Sequence, residues 1–316
     1  MAPTVTESRP HTLFSFGTLL DPRVQTALFG RPVPSSPASL AGHATRPLTI
    51  TDPSVIATSG QEVHLTLERR IGSTVEGGVL HLTDRELAAA DDYEVDDYVR
   101  RRVLLSSGES AWAYLDARPL RPAARMVIAG DSIAYGRCDP RGGWAARLAA
   151  GHIARNEAEH RVFNLAIPGS TLTDVREQTP ALLGPRHPDT ILLAAGINDS
   201  AVPLAAPDPA QDGLSCLGDN LAALAAMALS HNARLVVAGP AWLDETRTGD
   251  YEGLCFTRDR ALALRESMRT WCAEHHIDYL DLWEPLRDRA DLLVDGLHPD
   301  AEGHRLLHGH LEAIGR

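Results

Sequence analysis

Four short blocks hold the side chains on which chemistry could run. "MVIAGDSIAYG" puts Gly130-Asp131-Ser132 directly after an apolar run, "NLAIPGST" puts Gly169 after a second, and "LLAAGINDS" puts Asn198 after a third. "VDGLHPDAEGH" puts Asp295 three residues before His298. A serine hydroxyl is a weak nucleophile and needs a base to take its proton, which His298 can do. The imidazole needs one tautomer and one orientation, and Asp295, one turn earlier, can accept from its other nitrogen. A tetrahedral oxyanion needs preorganised donors. The candidates are the backbone N–H groups of Ser132 and Gly169 and the side-chain amide of Asn198. Alone, Gly-Asp-Ser is only a turn and GxND is weak. All four blocks in order, each tied to a strand end, form a specific signal.

The elements that must position them follow from the hydrophobic rhythm. Apolar strands are expected at Arg125–Gly130, Val162–Ile167, Thr190–Ala195, Arg234–Ala238 and Ile277–Leu282. Helices are expected at Gly143–Ala154, Thr173–Leu183, Leu217–Ser230, Asp259–His275 and Asp300–Ile314. Such alternation gives a parallel sheet covered on both faces. Ligands bind at the C-terminal edge of such a sheet, where the Gly/Pro/Asp-rich stretches 200–216 and 241–257 also fall.

This ordered set resembles the SGNH (GDSL-type) hydrolase family over residues 125–316. Ser132, Gly169, Asn198 and His298 match the four letters of the family name, and Asp295 matches the acid of its DxxH block. "GGWAARLA", "GIND" and "DGLHP" look like its esterase and lysophospholipase-like members. The resemblance implies a flavodoxin-like three-layer αβα sandwich and metal-free hydrolysis of esters, thioesters or amide-like acyl bonds. Transfer of the acyl group to an alcohol or amine, instead of to water, is the rival outcome.

Other residues in this half take structural readings. His304 and His308 stand four apart on the last helix and could seat a metal. No third ligand or HExxH accompanies them, so a solvated face is expected. Asp199 is expected to cap the next segment, Asp131 to hold the serine's turn, and Trp144 and Trp242 to pack in the core.

Residues 12–117 read differently. Short β-like runs appear at Leu13–Phe16, Val63–Leu67, Gly78–Leu82, Arg102–Leu105 and Ala111–Leu115, with one helix at Thr83–Ala90 capped by Thr83 or Asp84. A small β-rich barrel or α+β domain follows. Residues 1–11 read as a loose tail and 118–124, with two prolines, as an extended linker to a second domain at 125–316. In "HTLFSFGTLLDP" an apolar run meets Gly17-Thr18 and stops at Asp21-Pro22. In "AAADDYEVDDYVRRRVLL" a helix ends in an acidic cluster, which residue counts alone read as a solvated turn pairing with Arg100 to Arg102.

These two segments and "VEGGVLHL" resemble the "YGTL" corner, the "LDxfEgxxYxR" segment and the intervening strand of the γ-glutamylcyclotransferase-like (AIG2-like) family. The resemblance implies a β-barrel. It also implies a loop of backbone amides, Phe16, Gly17, Thr18 and Leu19, that cradles a γ-glutamyl group, and Glu94 as the acid/base in release of 5-oxoproline. A nest of N–H groups binds an anion without lysine, and a partly buried carboxyl can be raised toward working pH. The sequence departs from the motif at Phe16, where the family has tyrosine, so one hydroxyl is missing.

Composition excludes whole classes. The chain has 316 residues, a formal charge of -12 and no lysine. Schiff-base and P-loop lysine chemistry are excluded, and a nucleic-acid partner is not expected. Cys138, Cys216, Cys255 and Cys272 form no CxxC pair and read as free thiols, with no metal site or cofactor expected. The first 30 residues lack a signal-peptide layout and no stretch approaches 18 uninterrupted apolar residues, so a cytoplasmic, non-membrane protein is the default. The expectation is a bifunctional enzyme acting on a small acyl ester and a γ-glutamyl amine, as in deprotection steps of small-molecule or natural-product biosynthesis. The alternative keeps the acyl site and makes the first domain a non-catalytic binding or interaction module. The oligomeric state is left open.

Overall fold

The computed structural model describes residues 8–49, 53–205 and 213–316. The chain divides into two compact units, Met1–Arg118 and Pro119–Arg316. Of the expected tail, residues 1–7 lie outside the described residues, while His11 already opens the first strand.

The first unit runs β1 (His11–Ser15), α1 (Pro22–Phe29), β2 (Ser35–Thr49), α2 (Pro53–Ser59), β3 (Val63–Leu82), α3 (Asp84–Tyr93), β4 (Tyr98–Leu104) and β5 (Ser110–Asp116). Its five strands form one sheet in the order β2-β3-β1-β5-β4, antiparallel except for the β1–β5 pairing. Three details depart from the sequence reading. Asp21-Pro22 does not end an element but starts α1: Asp21 accepts from Arg23 N–H as N-cap, and Pro22 takes the first helical position, where no N–H is needed. β2 carries no apolar signature and was not expected. It is held by a ladder to β3, which absorbs both expected strands, Val63–Leu67 and Gly78–Leu82, into one of 20 residues. Gly77 in β3 is required by close approach: a Cβ there would lie 2.3 Å from Ser15 O.

The second unit runs β6 (Arg125–Gly130), α4 (Ser132–Tyr135), α5 (Gly143–Arg155), β7 (Arg161–Asn164), α6 (Leu172–Gln178), α7 (Pro180–Leu183), β8 (Thr190–Ala194), β9 (Val202–Pro203), α8 (Leu217–Ser230), β10 (Arg234–Ala238), α9 (Glu245–Thr248), β11 (Leu254–Cys255), α10 (Arg258–Glu274), β12 (Asp278–Leu280) and α11 (Ala301–Gly315). The order β12-β10-β8-β6-β7 is parallel throughout. Alternate residues of each strand face opposite layers. Met126, Ile128, Leu192 and Val236 pack with Leu148 of α5 and Leu307 and Leu311 of α11. Val127, Ile191, Leu193 and Val237 pack with Leu221 and Leu224 of α8 and Leu264 and Met268 of α10. This is the three-layer αβα sandwich. The stretch Gly213–Ser230 is apolar enough by length and composition to cross a membrane, with mean hydropathy 1.3, but Leu217, Leu221, Leu224 and Ala228 are buried at helical spacing in this layer.

The expected linker 118–124 is not a solvated spacer from Leu120 onward. Leu120 is buried and its N–H donates to Gly315 O, while Ala124 and Arg125 N–H both donate to the Asp189 carboxylate. The segment thus belongs to the second unit, because Asp189 supplies the acceptors its backbone needs. The expected helix Thr173–Leu183 is likewise split in two at Pro180, which occupies the first position of α7. We expect Asp189→Ala to leave two buried N–H donors without acceptors. It should destabilise the second unit by on the order of 2–4 kcal/mol in chemical denaturation, with the first unit's transition unchanged.

Candidate active sites

In the second unit, three adjacent strands, β8, β6 and β7, end at one edge, and Asn198, Ser132 and Gly169 follow their respective C-termini. Backbone bonds tie the loops together: Asp131 N–H donates to Ala194 O, and Ile167 N–H donates to Gly130 O. Ser132 is the first residue of α4, whose N-cap Asp131 accepts from Ile133 N–H. Burial pushes the Asp131 carboxyl up to about 7 against that backbone bond, so it serves the turn. The turn back out of α4 needs Gly136, at φ 95°, where a Cβ would meet Gly142 C at 2.3 Å.

Asp295 and His298 come from the loop before α11. His298 is 1% exposed, and its Nε2 lies 2.7 Å from Ser132 Oγ. His298 Nδ1 lies 2.8 Å from Asp295 Oδ2, while Asp295 Oδ1 accepts from the backbone N–H groups of Leu297 and His298. Burial alone would raise Asp295. The His298 backbone and ring bonds and the Leu297 N–H outweigh it and hold the carboxylate at about 2. Burial lowers the His298 imidazole below its ordinary value, with Asp295 pulling the other way. A neutral imidazole facing a hydroxyl on one side and a carboxylate on the other can accept the hydroxyl's proton as the oxygen attacks an acyl carbon.

Asn198 Nδ2 donates to Ser170 O at 2.9 Å, which places its amide beside the Gly169-Ser170 turn and commits one of its two N–H bonds there. Gly169 has φ 84°. Asp199 is buried and accepts from Leu172 N–H, so it holds the start of α6 rather than capping the segment that follows it, and burial pushes it up to about 6. Trp144 and Trp242 are both buried in the core. His304 corrects the solvated-face reading. It is fully buried, its Nδ1 accepts from Trp144 N–H and its Nε2 donates to Arg137 O, because α11 turns its 303, 304, 307 and 311 positions inward.

One neighbour of Asp295 and His298 went unread in the sequence. Tyr251 Oη donates to Asp295 Oδ2 at 2.9 Å and stands 3.4 Å from His298 Nδ1. Its phenol is pushed up to about 12, first by burial and then by Asp295, so it stays a donor. The β9–β11 ladder, Leu254 opposite Pro203 and Cys255 opposite Val202, anchors the loop that carries it. No local motif marks such a residue; only its place in the stretch 241–257 hinted at the site.

In the first unit a pocket is lined by Phe14, Ser15, the whole corner Phe16, Gly17, Thr18 and Leu19, and by Glu94, with His64, Leu65, Tyr98 and Tyr114. Thr18–Leu20 form a 3-10 turn directly after Gly17, and the first N–H groups of such a turn have no partner within it. Tyr93 Oη donates to Thr18 Oγ1 at 3.2 Å and steadies the corner. Glu94 caps the C-terminus of α3, and desolvation, followed by the nearby Asp91, pushes its carboxyl up to about 8. The acidic cluster is therefore split in use. Asp91 pairs with Arg100 at 2.8 Å and accepts from Tyr114 Oη, while Glu94 turns into the pocket. Phe16 lies 6.2 Å from Phe14, ring to ring, and also lines the pocket. His64, whose Nε2 is 3.0 Å from Ser59 Oγ, was not foreseen here because its strand neighbours carry no motif.

Residues 128–306 match the model of the GDSL-like lipase/acylhydrolase family, and residues 13–132 match that of gamma-glutamyl cyclotransferase, AIG2-like. No curated protein matches the chain. Among solved structures, the lipase/acylhydrolase from Enterococcus faecalis is 22% identical with TM-score 0.49, over 60% of this chain and 95% of that one. The psychrotrophic esterase EstA from Pseudoalteromonas sp. is 18% identical with TM-score 0.46, over 60% of this chain and 96% of that one. An acetyl-xylooligosaccharide esterase from Geobacillus is 17% identical with TM-score 0.47, over 60% of this chain and 92% of that one. The family model spans more than half of the chain, so the chain belongs to the GDSL-like lipase/acylhydrolase family of serine ester hydrolases, with an AIG2-like gamma-glutamyl cyclotransferase domain ahead of the hydrolase.

Proposed function

We propose that the chain is a bifunctional enzyme, cleaving a small acyl ester at Ser132 and releasing 5-oxoproline from a γ-glutamyl amine at Glu94. The observation that carries the first activity is the unbroken relay from Ser132 Oγ through His298 to Asp295, at 2.7 and 2.8 Å. In this reading His298 Nε2 takes the Ser132 proton as Oγ bonds to the acyl carbon. The oxyanion is met by the N–H groups of Ser132 and Gly169 and by the uncommitted N–H of Asn198. His298 then returns the proton to the leaving alcohol, and water repeats the sequence on the acyl-enzyme.

The second activity is supported by the corner 16–19 and Glu94 lining one pocket. There the backbone amides of Phe16, Gly17, Thr18 and Leu19 hold the γ-glutamyl group. Glu94 accepts a proton from the substrate's α-amine as its nitrogen attacks the γ-carbonyl carbon. It then delivers the proton to the departing amine, and the ring closes as 5-oxoproline. Together the two activities suit removal of protecting acyl and γ-glutamyl groups from small molecules.

The two activities separate by mutation. Ser132→Ala and His298→Ala should each lower p-nitrophenyl acetate turnover by about 10⁴-fold or more and spare 5-oxoproline release, whereas Glu94→Gln does the reverse. Full esterase activity in His298→Ala would sink the triad. Unchanged release in Glu94→Gln would make the first unit a binding module. Since free Glu94 titrates near 8, kcat/KM for 5-oxoproline release should climb as pH rises toward about 8; a profile flat from pH 6 upward contradicts the assignment.

Tyr251 has its own signature. Its hydrogen bond spreads the charge of Asp295, so Tyr251→Phe should leave the carboxylate a stronger partner for the imidazolium. The acid limb of the esterase kcat/KM profile should move to higher pH, with a several-fold loss in kcat. A loss in kcat with an unmoved limb would reduce Tyr251 to packing.

A further inference from the structure

Cys138 follows α4 in the loop beyond the serine's turn and is held at φ 69°, a left-handed backbone that a cysteine seldom adopts. Its Sγ, a carboxylate oxygen of Asp295 and a ring nitrogen of His298 all lie within 4.8 Å of one another. The thiol is free and half-buried, so it is open to small solutes. Thiolate, imidazole and carboxylate are the donor types that zinc takes, and three protein ligands leave a fourth position for water. Two of these donors belong to the proton relay, and the thiol has no place in it.

We infer that Cys138, Asp295 and His298 form an inhibitory site for a thiophilic divalent cation such as zinc. The inference rests on the reading of His298 as the base for Ser132. A cation on Nδ1, the nitrogen that faces Asp295, moves the ring proton to Nε2, which then points an N–H at Ser132 Oγ and cannot accept its proton. A cation on Nε2 displaces the hydroxyl directly. In either case the Cys138 proton leaves to solvent and sulfur binds as thiolate. The neighbouring cation Arg137 stands 3.9 Å from Glu252, which offsets its charge. Burial first and Asp295 second raise the free Cys138 thiol, and a bound cation reverses the second by taking up the carboxylate's charge.

The test uses the full chain and two readouts. With cobalt(II) as a spectroscopic probe, wild type and Ser132→Ala should both show a thiolate-to-cobalt charge-transfer band, and Cys138→Ser should not. Zinc should suppress p-nitrophenyl acetate turnover by about ten-fold or more, reversed by EDTA and not reproduced by magnesium. Cys138→Ser should keep its basal turnover and need about ten-fold more zinc for half-inhibition. Absence of the band in wild type, or a band that survives in Cys138→Ser, overturns the site. A Cys138-dependent band with turnover unaffected by zinc keeps the site and overturns its inhibitory role. The triad reading fails separately, by full esterase activity in His298→Ala without any metal.

Discussion

A buried imidazole is a useful base only while something fixes its far nitrogen, and the second unit is organised around meeting that condition. His298 is almost fully enclosed, so burial favours its neutral form. The partner that fixes it, Asp295, must stay ionised in the same surroundings. Two backbone N–H groups from its own loop make this possible, since a carboxylate that accepts several such bonds is held low despite burial. Ser132 comes from the opposite direction, on the turn after a central strand, and reaches His298 because β6 lies between β7 and β8 in a fully parallel ladder. Without that ladder, residues 166 positions apart would have no common edge on which to meet.

The same physics applied with different donors gives opposite carboxyls in one chain. Asp295 is held at about 2 and Glu94 is pushed up to about 8. Burial raises both, and far more strongly at Glu94, since the Asp295 side chain is only partly covered. They differ in what surrounds the charge: backbone and ring N–H groups around Asp295, and a second carboxylate, Asp91, near Glu94. Each environment fits the role proposed for it. A group that only orients an imidazolium should never take the proton, whereas a group that receives and returns one should titrate near working pH. Asp131 and Asp199 lie between these extremes. Each accepts backbone N–H bonds, yet burial wins, and each is spent on holding a turn or a helix start.

Sequence is most legible where one force decides the element. β6, β10 and α8 match their expected spans to the residue, because strands buried on both faces read as unbroken apolar runs and the helix shows a buried stripe. β2 was silent because most of its residues are Ser, Pro, Ala and Gly with no apolar alternation, and a backbone ladder to β3, rather than side-chain pattern, keeps it in place. The Asp21-Pro22 pair was ambiguous in kind: the same two residue types can stop an apolar run or begin a helix, and only the cap bond to Arg23 N–H settles which. The corner 16–19 and Glu94 were legible only through the family resemblance, since residue counts alone read a solvated turn, and the structure puts them around one pocket.

Tyr251 and His304 show where legibility stops. Each is defined by a partner far away in sequence, Tyr251 by Asp295 and His304 by Trp144 and Arg137. A motif names groups that must meet a substrate, so its spacing is local to one strand end. The groups that set the charge and orientation of those residues only have to arrive from somewhere. Tyr251 arrives through a two-residue ladder, and many sequences could build such a ladder equally well. The surroundings of a motif are therefore less constrained in sequence than the motif itself, although the chemistry needs both. That is why a candidate site can be read from four blocks, while its neighbours, the phenol of Tyr251 and the thiol of Cys138, have to be found in three dimensions.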